Sequence, residues 1–194
     1  MALYRPNANM LRNHALQFAT IAHGNQVRKG NEHIPYIFHP VDVANEVIYF
    51  SGLPVPELEV ASVIALLHDT VEDTLVTLQD VRDQFGDAVA DGVGALTKVD
   101  LPESNKHSKL AELEENLERL KTAPAYVQAV KLADRISNLK SFPAMWGREK
   151  VSNYLDESAL IARALAAASE GLHARLLSRI ANMRATLSLL PKEK

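Results

Sequence analysis

The 194-residue sequence contains no cysteine. That excludes disulfides and thiolate metal sites, so any bound metal must be held by imidazole, carboxylate, carbonyl or water. Aromatic residues are scarce, at 6%, and there is one tryptophan. Positive charge is not in excess: 21 basic against 24 acidic residues give a formal net charge of -3. This argues against a broad basic surface for nucleic acid, while a local basic pocket for a small phosphorylated ligand stays compatible with it. No apolar run approaches membrane-spanning length. The segment with Arg5, Asn7 and Asn9 before His14 also lacks the apolar core of a signal peptide. A cytoplasmic protein is therefore expected, with neither membrane nor nucleic acid as partner. The length suits one well-filled core, so residues 1–194 are read as a single domain.

What is present is helical patterning. Hydrophobic residues make up 47% of the chain, charges of both signs are interspersed, and no convincing alternating strand recurs. The predicted fold is all-α. Leu11, Ala15, Phe18, Ala19 and Ala22 mark a first helix ending near Gly24, followed by a polar loop over Arg28-Lys29-Gly30-Asn31-Glu32. Pro40 fits a first helical position and biases His39 before it to an extended conformation. Val60, Val63, Ile64, Leu67 and Val71 repeat as one buried face of a central helix. Thr77 is a predicted N-cap with Asp80 in the first turn, and Gly86 ends that helix. A short helix toward Leu96, a loop from Lys98 to His107, a Glu- and Leu-rich helix from about Leu110 to Leu120, and a helix opening at Pro124 follow. A last pair is expected to split near Gly171. The Ala-rich stretch from Ala162 to Ala168 reads as close helix packing or a subunit contact, which leaves a homo-oligomer open. Trp146 reads as packing.

Two features carry chemistry. His68-Asp69-Thr70-Val71-Glu72-Asp73 puts four ionisable groups into a turn and a half. On a helix Glu72 would lie beside His68 and Asp73 beside Asp69. Because Ile64 and Leu67 precede the cluster directly, part of it should be near the core, where a bound cation would offset the cost of burying carboxylates. Asp134 shares the stripe of Val127 and Val130, with Asn138 one turn on. Alone, Asp134 reads as a buried acid paired to Arg135 or as a cap, and His68-Asp69 as a satisfied polar pair at a helix end; together they point to a metal site.

The order His39-Pro40, then His68-Asp69 with Glu72-Asp73, then Asp134 with Asn138 resembles the H…HD…D pattern of the HD phosphohydrolases. Five segments resemble the hydrolase domain of RelA/SpoT-type proteins. They are Gln26-Val27-Arg28-Lys29, Pro35-Tyr36-Ile37-Phe38-His39-Pro40, Leu66-Leu67-His68-Asp69-Thr70-Val71-Glu72-Asp73-Thr74, Leu96-Thr97-Lys98 and Ala133-Asp134-Arg135-Ile136-Ser137-Asn138. The likeness runs from about Ala15 to beyond Tyr154. With no synthetase or regulatory segment following in these residues, it points to the small alarmone hydrolases, the subgroup of the metazoan SpoT homologue.

The resemblance implies an HD-domain bundle of about eight to ten helices. It implies one Mn(II), with other divalent metals open, bound by His39, His68, Asp69 and Asp134, and Glu72 and Asp73 beside the attacking water. It also implies hydrolysis of the 3′-pyrophosphate of ppGpp or pppGpp, with Arg28 against the purine, Lys29 as a point charge, Asn138 near the ribose, Tyr154 near the nucleotide and Lys98 approaching the pyrophosphate. Arg28 can stack on adenine as readily as on guanine, so ppApp-type substrates and NADPH stay open. Two further readings are a hydrolase of nucleoside mono- or triphosphates and a non-catalytic alarmone sensor. His14, His23, His33, His107 and His173 lack partners at ligand spacing and read as structural or surface residues.

Overall fold

Ala15, Ala19 and His23 recur every four residues and are all buried, so the first helix, α1 (Ala8–His23), turns one stripe inward. The structure is a computed structural model that describes residues 8–98 and 109–189. Among these it is helical, as expected, with one departure. The predicted polar loop after Gly24 is an antiparallel hairpin, β1 (Val27–Arg28) and β2 (Asn31–Pro35). Its strands are too short and too polar in sequence to show alternation. Gly30 adopts φ +83° in the turn, and a Cβ there would stand 2.6 Å from Cβ of Pro143, so the hairpin tip seats against that proline.

Helix α2 (Phe38–Phe50) begins two residues before Pro40. Ile37 is already helical at φ −54° and ψ −24°, and the His39 N–H donates to the Tyr36 carbonyl at 2.8 Å. His39 therefore occupies the first helical turn rather than an extended junction. Pro40 is tolerated because N–H groups in that turn have no helical partner. Helix α3 (Val55–Leu67) is buried at every position from Ala61 to Leu67 and not on one face alone, because α1, α2 and the later helices Asp87–Leu96 and Ala125–Asn138 all pack against it. It stops at Leu67, and a separate single turn, α4 (Thr70–Asp73), follows. Thr70 Oγ1 donates to the Leu67 carbonyl at 2.7 Å and helps hold the junction.

Thr77 and Asp80 form the expected reciprocal cap of α5 (Leu78–Phe85), and α6 (Asp87–Leu96) follows. The loop expected between Lys98 and His107 falls, after Lys98, outside the described residues. Beyond it come α7 (Lys109–Lys121), α8 (Ala125–Asn138), α9 (Arg148–Ala164), a short 3-10 turn and α10 (Glu170–Leu189). The last two helices part at residues 165–169 and not at Gly171. Ser169 Oγ accepts from the Leu172 N–H and donates to the Ser51 carbonyl, so it caps α10. Gly171 lies inside that helix, where the Phe50 carbonyl comes too close for any side chain. No helix among the described residues is long and apolar enough to cross a membrane.

Candidate active site

Helices α2, α3 and α8 pack on one another, and each delivers a polar residue to the same point. His39 comes from the first turn of α2, His68 caps the end of α3, Asp69 opens α4, and Asp134 comes from the buried stripe of α8. Asp134 Oδ1 lies 3.3 Å from His39 Nε2 and 3.8 Å from His68 Nε2. Asp69 Oδ2 lies 3.5 Å from His39 Nε2 and 3.1 Å from His68 Nε2. His39, His68 and Asp134 are 3%, 5% and 7% exposed, so these charges are largely removed from water, at a cost on the order of several kcal/mol per uncompensated ion.

The hydrogen bonds on the far side of each ring decide what the rings offer here. His68 Nδ1 faces the Ala65 carbonyl at 2.8 Å. A carbonyl only accepts, so Nδ1 carries the proton, and a neutral ring turns the Nε2 lone pair toward the carboxylates. His39 Nδ1 lies 3.0 Å from Ser137 Oγ, and its Nε2 points to the same centre. His68 Nε2 is buried without a hydrogen-bond partner. Two imidazole lone pairs and two carboxylate oxygens aimed at one another make a donor set for a divalent cation.

Without a cation a proton takes its place. Burial opposes charge on His68, yet Asp69 and Asp134 outweigh it and pull its pKa up to about 10. Burial dominates at His39 and holds it below its ordinary value, helped by the charge on His68. Burial would raise both aspartates. His68 instead holds Asp69 below the usual carboxylate range, and Lys131 with the two histidines does the same for Asp134.

The neighbouring acids are tied differently. Asp73 shares the Tyr36 hydroxyl with Asp69, at 3.2 Å against 2.5 Å, and burial together with the Asp69 and Glu72 charges raises its pKa. Glu72 Oε1 is 2.5 Å from Lys98 Nζ, so Lys98 is held by Glu72. A cleft of about 1370 Å³ opens over these groups. Arg28 and Lys29 enter it from the hairpin, and Arg28 Nη2 donates to Asn138 Oδ1 at 3.1 Å while Asn138 Nδ2 donates to Asp134 Oδ1 at 2.6 Å. Tyr154 lies on the same wall under the Arg135 guanidinium, 4.2 Å from its ring centroid, and burial pushes its hydroxyl up to about 12. Trp146 packs on Phe142 and Tyr154, and all three line the cleft.

Asp134 pairs with Lys131 at 3.0 Å and not with Arg135, which faces Glu157 and Tyr154. The spacing of three residues on α8 could have shown Lys131. Tyr36 was not foreseen either: it lies 33 residues from Asp69, and no local pattern links them. His23, read as structural or surface, is buried, with Nδ1 2.8 Å from Gln26 Oε1 and its ring against Tyr36.

Residues 15–172 match the HD domain family. The chain therefore belongs to the HD-domain family, whose fold implies a divalent metal ion, and His39, His68 and Asp134 bring ligand atoms close enough together to fit one. It is 38% identical over 146 residues to the GTP pyrophosphokinase rsh of Brucella ovis, covering 73% of this chain and only 18% of that protein. It is 32% identical over 166 residues to the mouse guanosine-3′,5′-bis(diphosphate) 3′-pyrophosphohydrolase MESH1, covering 84% of this chain and 88% of that one. A solved metazoan orthologue of SpoT, described as hydrolysing ppGpp, superposes with a TM-score of 0.77 at 24% identity, over 93% of this chain and 98% of the other.

Proposed function

We propose that this chain is a metal-dependent 3′-pyrophosphohydrolase of purine alarmones, with Mn(II) held by His39, His68, Asp69 and Asp134. The observation that carries the reading is the convergence of both Nε2 atoms and both carboxylates at the floor of a cleft whose walls offer Arg28, Lys29 and Tyr154. The likeness to a protein named as a 3′-pyrophosphohydrolase over nearly its whole length supports it. When bound, the cation would supply Lewis acidity toward a phosphate oxygen and make a water easier to deprotonate.

The side chains do the rest. Arg28 stacks its planar guanidinium on the purine, Lys29 adds positive charge, Tyr154 borders the nucleotide, and the Asn138 amide bonds the ribose. Glu72 and Asp73 orient the attacking water and accept its proton, a task for which the raised pKa of Asp73 suits it. Lys98, released from Glu72, meets the pyrophosphate. Water adds to the phosphorus next to the ribose 3′-oxygen, the bond from that phosphorus to the 3′-oxygen breaks, and the 3′-oxygen leaves with a proton. The products are pyrophosphate and a nucleotide with a free 3′-hydroxyl.

The same reading makes the protein a cytoplasmic single domain acting on a small nucleotide, not on nucleic acid, and it allows a homo-oligomer. Stacking by Arg28 leaves adenine as acceptable as guanine, so ppApp belongs in the test. The Mn(II)-loaded protein should release pyrophosphate from ppGpp or ppApp. Turnover of neither, with NADPH or a nucleoside triphosphate cleaved instead, would replace this reading.

A further inference from the structure

Behind His39, on the side away from the carboxylate centre, stands a second polar group. His39 Nδ1 is 3.0 Å from Ser137 Oγ, and Ser137 Oγ donates to Asp42 Oδ2 at 3.4 Å. Ser137 is 3% exposed. Its hydroxyl carries one hydrogen, and Asp42 is an acceptor only, so with that hydrogen turned to Asp42 the bond to His39 runs from Nδ1–H to Ser137 Oγ.

The pattern behind this contact is reciprocal. On α2, His39 and Asp42 are three residues apart, and on α8, Asp134 and Ser137 are three residues apart, so each helix presents one residue at the centre and one behind it. Asp42 does not hang free. Lys140 Nζ is 2.9 Å from Asp42 Oδ2 and 3.4 Å from Glu46 Oε1, and Arg175 on α10 grips Glu46 through Nε at 2.8 Å and Nη2 at 3.1 Å. Glu46 is 4% exposed, which ties the bracket to the interior and not to a solvated surface pair.

We propose that Ser137, backed by Asp42, is a positioning residue that keeps the proton of His39 on Nδ1 and its Nε2 lone pair aimed at the cation. This rests on the metal reading above. The alternative tautomer would place an N–H between Asp69 and Asp134, satisfy them by hydrogen bonds and take His39 out of the ligand set. A hydroxyl fixed on one side of the ring removes that competitor.

The test is Mn(II) binding followed by loss of the free-ion electron paramagnetic resonance signal, together with imidazole nitrogen NMR of the metal-free protein. The parent should bind Mn(II) and show His39 protonated at Nδ1. Ser137→Ala should weaken binding roughly 10- to 100-fold, the range for loss of a group supporting a metal ligand, and shift His39 toward the Nε2–H form. Ser137→Thr, which keeps the hydroxyl, should recover most of the affinity. Asp42→Asn, at a half-exposed position, should weaken binding less than Ser137→Ala. Equal affinity and an unchanged tautomer in Ser137→Ala would overturn the positioning role while leaving the metal site standing. A parent that binds no Mn(II) would remove the metal reading and this inference with it.

Discussion

The Tyr36 hydroxyl lies 2.5 Å from Asp69 Oδ2 and 3.2 Å from Asp73 Oδ2, one group spanning a carboxylate of the converging centre and a carboxylate beside it. Burial and the charges of Asp69, Asp73 and Asp134 push its pKa far above the ordinary phenol value, so it stays a donor at every working pH. Tyr36→Phe removes the donor and leaves the packing against His23 and His39 in place. The expected result is a fall in kcat of about 10- to 100-fold with Mn(II) still bound, read by steady-state kinetics and metal analysis. Wild-type kcat in this variant would mean that the hydroxyl has no part in turnover.

Asp134 and Asp69 are expected to behave as ligands. Asp134→Ala and Asp69→Ala should each reduce Mn(II) affinity by more than the roughly 100-fold that loss of a supporting residue costs, and abolish pyrophosphate release. Retained stoichiometric metal after dialysis of either variant would contradict the assignment.

Glu72 should separate from the ligands. Glu72→Ala is expected to keep Mn(II) and lose turnover by on the order of 10²- to 10⁴-fold, the usual contribution of a proton-accepting side chain. Because Lys98 pairs with Glu72, Lys98→Ala should be measured beside it. A normal rate in Glu72→Ala would take this residue out of the water-positioning role.

Metal binding should release a proton. His68 in the metal-free protein has its pKa raised to about 10, so its ring is protonated throughout the neutral range and a cation must displace that proton. Apparent affinity should therefore rise with pH up to about 10, by roughly tenfold per unit where one proton competes. Calorimetry in buffers of different ionisation enthalpy should count about one proton released per cation near neutral pH. Release of none would show that His68 stays outside the ligand set.

Tyr154 gives a test of the nucleotide wall. Stacking on an aromatic ring is worth about 1–3 kcal/mol per base, so Tyr154→Ala should raise KM roughly 5- to 150-fold while Tyr154→Phe stays near the parent. Equal loss in both would assign the effect to the hydroxyl, and no loss in either would take Tyr154 out of the nucleotide wall.

His68, Asp69 and Asp134 stood out in the sequence because acids and histidines beside apolar helical stripes are costly without a partner, whereas His39 joined them only through the resemblance to the HD pattern. The caps were legible too: Thr77 and Asp80 are three residues apart, and their bond is local. The hairpin at residues 27–35 was not, since a strand pair of this length carries too few residues for a period to show. The helical start at Phe38 escaped as well. The bias that proline puts on the residue before it is weaker than the packing that draws His39 into the first turn of α2.

Sequence alone determined the helical class, the absence of thiolate ligands and the crowding of ionisable groups at residues 68–73, because each follows from residue type and local spacing. Only the tertiary structure decided which oxygen of Asp134 faces both imidazoles, and that Tyr36, Ser137 and Asp42 stand around the centre. Those relations join residues on different elements, and their geometry is set by how α2, α3 and α8 pack, which no periodicity within a single segment encodes.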